Sequence, residues 1–186
     1  MSKRAWVVGI LMLSASSVAA ETDLYGDFAL LTGSVDSAVS RREGIGTRGW
    51  GASLAVGMRV QNIGVLGLEG SAQYISDEDS FTQLTTGGTF SSTTTLYDIA
   101  PYAGLRAPLG GVSAGANLGY SLVFGTRTIE DCINCFSEGL NVDGGPYIEP
   151  VVSFGKPDGM QFGVSFRKYL SGDMKNMLLL RVTRPF

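Results

Sequence analysis

The sequence predicts an all-β fold: an eight-stranded antiparallel up-and-down transmembrane β-barrel, preceded by an N-terminal signal peptide. Three observations carry this. Beyond Glu21 the apolar residues recur with a period of two almost throughout, the mark of strands rather than helices. The links between successive strands alternate, short then long. No apolar run after Glu21 reaches the roughly 20 residues of a spanning helix, while most strands offer the roughly 9 to 11 residues of a tilted membrane strand.

The first twenty residues read as a signal peptide. Lys3 and Arg4 give a positive start, Trp6 to Leu13 an apolar core, and Val18-Ala19-Ala20 a small-residue cleavage site. The apolar run is too short for a membrane anchor. Residues 21–186 then form one barrel domain. Without Lys3 and Arg4, 12 basic residues face 17 acidic ones, a formal charge of −5, which argues against nucleic acid as a partner.

The strands follow in order. The first, about Leu24 to Leu31, carries Asp27 on its polar face. The second sets Trp50, Ala52, Leu54, Val56, Met58 and Val60 against Gly51, Ser53, Ala55, Gly57 and Arg59, since successive side chains point to opposite faces. The third, about Val65 to Ile75, groups Glu69, Ser71 and Gln73. The fourth, about Thr95 to Arg106, puts Asp98 and Arg106 together. The fifth sets Val112, Ala114, Ala116, Leu118, Tyr120, Leu122 and Phe124 against Ser113, Gly115, Asn117, Gly119 and Ser121. The sixth, about Pro146 to Phe154, has Glu149 opposite Ile148 and Val152. The seventh sets Met160, Phe162, Val164 and Phe166 against Gln161, Ser165 and Arg167. The eighth sets Leu178, Leu180, Val182 and Phe186 against Leu179, Arg181 and Thr183. Pro101 and Pro150 cannot donate to a ladder, so a local bulge is expected at each.

Which face looks inward follows from composition. The polar face carries small residues and charges; the apolar face is bulky and suits lipid. Aromatic residues gather at the strand ends. Trp50, Tyr74, Tyr97, Tyr120 and Phe124 lie at the long-loop end, with Phe154 and Phe186 at the other, as two interfacial girdles. The interior then holds Asp27, Glu69, Asp98 and Glu149 with Arg59, Arg106, Arg167 and Arg181. An eight-stranded barrel is just wide enough for its side chains, so a closed charge network is expected. The alternative is a narrow channel for small solutes or ions.

A leader, eight alternating strands and a final aromatic residue resemble the small bacterial outer-membrane barrels, the OmpA transmembrane domain and the OmpX-like group. The resemblance covers residues 21–186 and includes the end motif Leu178-Leu-Leu-Arg-Val-Thr-Arg-Pro-Phe186. It implies a monomeric barrel in the Gram-negative outer membrane, embedded in lipid and lipopolysaccharide, with both termini periplasmic. It further implies that Phe186 serves as an assembly signal for the barrel-insertion machinery. Enzymes on such barrels resemble one another in using a catalytic histidine, and this chain has none. A serine nucleophile needs an activating base. No catalytic, metal-binding or cofactor-binding residues are expected.

The long links, about residues 34–48, 77–93 and 126–143, are where a host or cell-surface ligand would bind. Cys132 and Cys135 share the third and are expected to form a disulfide in an exported protein, rather than a redox motif or half a metal site. Asp77-Glu78-Asp79 is either solvated or a cation site, and Arg41, Arg42 and Arg48 are either solvated or phosphate contacts. In the second link Gly87-Gly88 between β-formers is a hairpin signal, so the third and fourth strands are expected to project as a ribbon.

Overall fold

The computed structural model describes residues 22–61, 63–82, 89–129, 137–156 and 158–186. Ten strand segments and one short helix occur among them. In chain order they are β1 (Thr22–Val35), α1 (Ser37–Glu43), β2 (Arg48–Val60), β3 (Gly64–Thr82), β4 (Thr89–Pro108), β5 (Val112–Tyr120), β6 (Leu122–Ile129), β7 (Ser137–Leu140), β8 (Pro146–Gly155), β9 (Gln161–Tyr169) and β10 (Met174–Pro185).

These segments make eight staves of a closed antiparallel barrel. The order runs β3-β2-β1-β10-β9-β8-β5-β4, and β3 pairs with β4 to close the ring. β5 and β6 are one stave with a break at Ser121: Tyr102 faces Gly119 and Ile99 faces Leu122 in a single register along β4. β7 and β8 share the next stave less smoothly. Gly125 faces Leu140 and Tyr120 faces Pro146, so residues 141–145 lie opposite only 121–124.

Alternation along each stave sorts the side chains. Leu54, Leu66, Leu118, Phe162 and Leu180 lie on the exposed outer surface, while Asp27, Glu69, Glu149, Arg167 and Arg181 are buried within. A water-soluble barrel has the opposite polarity. The outward apolar band fits hydrocarbon, and closure removes the unpaired edges that hydrocarbon forbids.

The turns at one end are tight. Leu109 N–H donates to the Val112 carbonyl at 2.7 Å, and Gly110 takes the left-handed conformation (φ 76°) that closes this link. Both described termini, Thr22 and Phe186, lie at this turn end, where Tyr25 faces Pro185.

Neither proline forms a bulge. Pro101 faces Leu68 in an unbroken β3–β4 register, and Pro150 faces Ala116 in an unbroken β5–β8 register. Each simply drops rungs on its other side. Ile148↔Lys168 and Val151↔Ser165 keep one register across the gap at Glu149 and Pro150. A missing N–H removes a hydrogen bond without requiring an extra residue, and both rings lie on the exposed outer surface.

The long-loop end is more structured than strand limits at Ile75 and Thr95 imply. β3 and β4 continue as a ribbon to Thr82 and Thr89, with a register shift between Asp77 and Phe81. β6 continues to Ile129 beside β4, and β7 adds to β6. The barrel thus grows into a four-stranded sheet, β3-β4-β6-β7. Gly87-Gly88 lies outside the described residues, as do Cys132, Cys135 and their expected disulfide.

Candidate functional site

The middle of the lumen is an ion cluster. Arg167 sits on β9 with 1% of its side chain exposed. It reaches Glu69 on β3 at 2.7 Å, Glu149 on β8 at 2.7 Å and Asp98 on β4 at 3.5 Å. Arg181 on β10 reaches the same Glu69 at 2.9 Å and Glu149 at 2.6 Å, and Asp27 on β1 at 3.4 Å. Two arginines therefore hold four carboxylates drawn from four staves. The forked guanidinium, with five N–H donors in a plane, suits such bridging.

Neutral groups complete the cluster. The Ser121 hydroxyl donates to Asp98 at 2.7 Å and the Thr183 hydroxyl to Asp27 at 3.0 Å. Arg181 Nε donates to Ser165 at 2.9 Å. The Arg167 guanidinium also lies 4.1 Å from the centroid of the Tyr147 ring. Of the eight charged residues assigned to the interior from sequence, six thus meet in one network. Arg59 and Arg106 stand apart, nearer the turn end. Arg106 Nη1 donates to Asn117 Oδ1 at 2.9 Å and to the Leu105 carbonyl at 3.2 Å.

The lumen also contains four tyrosines that the pattern of charged residues passes over: Tyr25, Tyr102, Tyr147 and Tyr169, all buried. The signal was available, because strand alternation puts them on the polar face. Three of them lie directly across from glycine: Tyr25↔Gly57, Tyr102↔Gly67 and Tyr147↔Gly119. Each ring occupies the space where its partner's Cβ would be; a Cβ on Gly67 would stand 2.5 Å from the Tyr102 ring. The Tyr25 and Tyr102 hydroxyls are 2.9 Å apart.

The second region is the long-loop end. Asp36 caps α1, accepting from the Ala38 N–H at 2.7 Å, and its other oxygen meets Lys175 Nζ at 2.6 Å. The Lys175 ammonium, and next the Ala38 amide, hold the Asp36 carboxyl below the usual carboxylate range. Gly44, left-handed, ends the helix. Val39 and Ile45 are buried in the same apolar cluster as Val35, Ile75, Leu96, Val142, Met174 and Met177.

Polar ties run from α1 to the far side of the ring. Arg127 on β6 donates to the Glu43 carbonyl at 2.6 Å and forms an ion pair with Glu138 on β7. Arg42 donates to the Asn141 carbonyl at 2.8 Å and pairs with Glu43 at 2.7 Å. β1 and β6 belong to opposite staves, so the segment bearing α1 crosses the mouth and roofs it. Arg41, Arg48 and Lys168 remain exposed.

The aromatic residues assigned to the girdles all lie on the outer surface. The rings of Trp50 (68% exposed) and Tyr74 pack in a tilted arrangement with centroids 5.7 Å apart, with Tyr97, Tyr120 and Phe124 at the same end. Phe154 and Phe186 lie at the turn end. Phe162, directly across from Phe154, also faces outward at the turn end, as do Phe28 and Phe166 farther along their staves.

Comparison with known proteins accords with this geometry. A sequence-family profile described as outer membrane protein beta-barrel domain matches residues 5–183. The chain belongs to that family. It is a barrel of the bacterial outer membrane. Among solved structures it is similar to Ail, the attachment invasion locus protein of Yersinia pestis, both alone and in complex with the heparin analogue sucrose octasulfate. Each match has 14% identity, covers 90% of this chain and 99% of that one, and has a TM-score of 0.52. Neisserial surface protein A also matches, with 12% identity, 88% and 96% coverage and a TM-score of 0.48. No curated protein matches. At these identities the solved structures speak to fold alone.

Proposed function

We propose that this outer-membrane barrel is a non-enzymatic surface protein, structural or adhesive, that meets its partners through the long-loop end. The observation that carries the reading is the contrast between the two parts of the molecule. The mid-lumen is crossed by Arg167, Arg181 and their carboxylates, whereas the staves beyond it extend as a sheet whose edges at β3 and β7 have no strand partner among the described residues. An open edge offers unpaired backbone groups to a partner's extended segment. Exposed Arg41 and Arg48 suit the phosphates of lipopolysaccharide or another polyanion. In this reading the protein acts as a monomer with both termini on the periplasmic side. The exposed aromatics anchor it at the two interfaces, Phe186 serves as its assembly signal, and Cys132–Cys135 staples the third loop.

The test is binding of cells, extracellular matrix and immobilised heparin by refolded protein. A variant in which residues 77–93 and 126–143 are replaced by short turns is the comparison. Heparin is included because a heparin analogue is a ligand of the structurally similar Ail. Loss of binding in the shortened variant is expected. Equal binding by both proteins, with no change in envelope integrity, would sink the proposal.

A further inference from the structure

Below the ion cluster the lumen is not filled. A vestibule of about 670 Å³ opens at the turn end, and its floor is Arg181 with Asp27. That volume lies within the range of small-molecule sites. Its walls include Arg59, Arg106, Asn117, Gln161 and the hydroxyl-bearing Tyr25 and Tyr102.

The two wall arginines distinguish this space from a passive solvent pocket. Each is only partly exposed, and neither has a carboxylate within 4.0 Å among the described residues. Arg59 Nε is buried and meets no acceptor. Arg106 uses one nitrogen on neutral oxygens, leaving the rest of its fork unspent. They lie on β2 and β4, with β3 between them, and both face inward. A cation in a confined, weakly polarisable wall favours an anion beside it more strongly than one in open water does. Asp23 and Asp158 also line the space but are themselves exposed. Asp23 stands directly across from Arg59 on β1, beyond ion-pair distance, so the wall is mixed rather than purely basic; it disfavours polyanions and admits a single anionic head whose remainder is neutral or cationic.

We infer that the vestibule is a binding site for a small solute bearing one carboxylate or phosphate, entering from the turn end and held by Arg59 and Arg106. This site is independent of the long-loop end and of any role there.

The experiment uses the full barrel in lipid nanodiscs, with arginine side-chain nitrogens observed by NMR. Two probes are titrated: inorganic phosphate, and alanine, a zwitterion whose one anionic group is a carboxylate. The expected result is a saturable shift of the Arg59 and Arg106 resonances with at least one probe, and the responding probe identifies the head group. R59Q or R106Q should weaken that binding by about tenfold or more, the effect of losing a charge-assisted fork. R184Q, which removes an outward-facing charge at the same end, should leave it unchanged. Absence of a saturable shift in the native protein with both probes would overturn the inference. So would binding that survives in the R59Q/R106Q double variant.

Discussion

Arg167 has almost no contact with solvent, yet it touches three carboxylates. Removing it leaves Asp98 without an arginine and Glu69 and Glu149 sharing Arg181 alone. Breaking a buried pair by deleting one partner typically costs roughly 3–5 kcal/mol. Arg167→Met is expected to lower stability by about that amount in equilibrium unfolding from lipid, and Glu149→Gln to act in the same direction. The tyrosine–glycine pairs make a second residue-scale prediction. Gly67→Ala places a methyl against the Tyr102 ring, an overpacking that typically costs about 1–3 kcal/mol. Adding Tyr102→Leu to Gly67→Ala should recover part of that loss, a non-additivity that a double-mutant cycle reads directly. Alternation alone was enough to place these side chains inside. It was silent on which arginine meets which acid, because that depends on inter-stave register, and register emerges only from pairing of the whole ring.

Legibility varied more between elements. The ribbon of β3 and β4 was foreshadowed by Gly87-Gly88 between β-formers. α1 was not, because seven residues within a polar link carry too little periodicity to stand out. In retrospect its ends are marked by Asp36 as cap and Gly44 as stop. Proline's inability to donate was read correctly, but its consequence was a missing rung rather than a bulge. The cap of α1 makes a pH prediction. The Asp36 carboxyl titrates below its ordinary value of about 3.9, so its contacts with Lys175 and Ala38 are fully present above that pH. They are lost as pH falls through the lower folded value. The Ala38 amide resonance should therefore report a transition below about pH 4 that D36N abolishes.

For the whole molecule, the fold was written in the two-residue period and the alternation of short and long links, and the family match agrees with it. What the barrel does at the cell surface was not written there, because loop chemistry has no periodicity to read. The ion cluster across the mid-lumen and the roof over the mouth lead to one global expectation: planar-bilayer recordings should show no discrete conductance from the native protein. A reproducible small conductance changed by Glu69→Gln or Arg167→Met would mean that the interior charges line a path instead.

Within the ring β1 lies against β10, the first stave in the chain joined to the last by eleven residue pairs from Tyr25↔Pro185 to Val35↔Met174. That seam joins positions separated by nearly the whole chain, so the longest-range contact must form before any stable product exists. A nascent chain lacking β10 has two raw edges and no acceptable state in hydrocarbon. Insertion is therefore expected to be all-or-none in chain length: a version ending before Met174 should remain protease-sensitive and outside the bilayer. In kinetic terms, the last stave sets the clock for all the others.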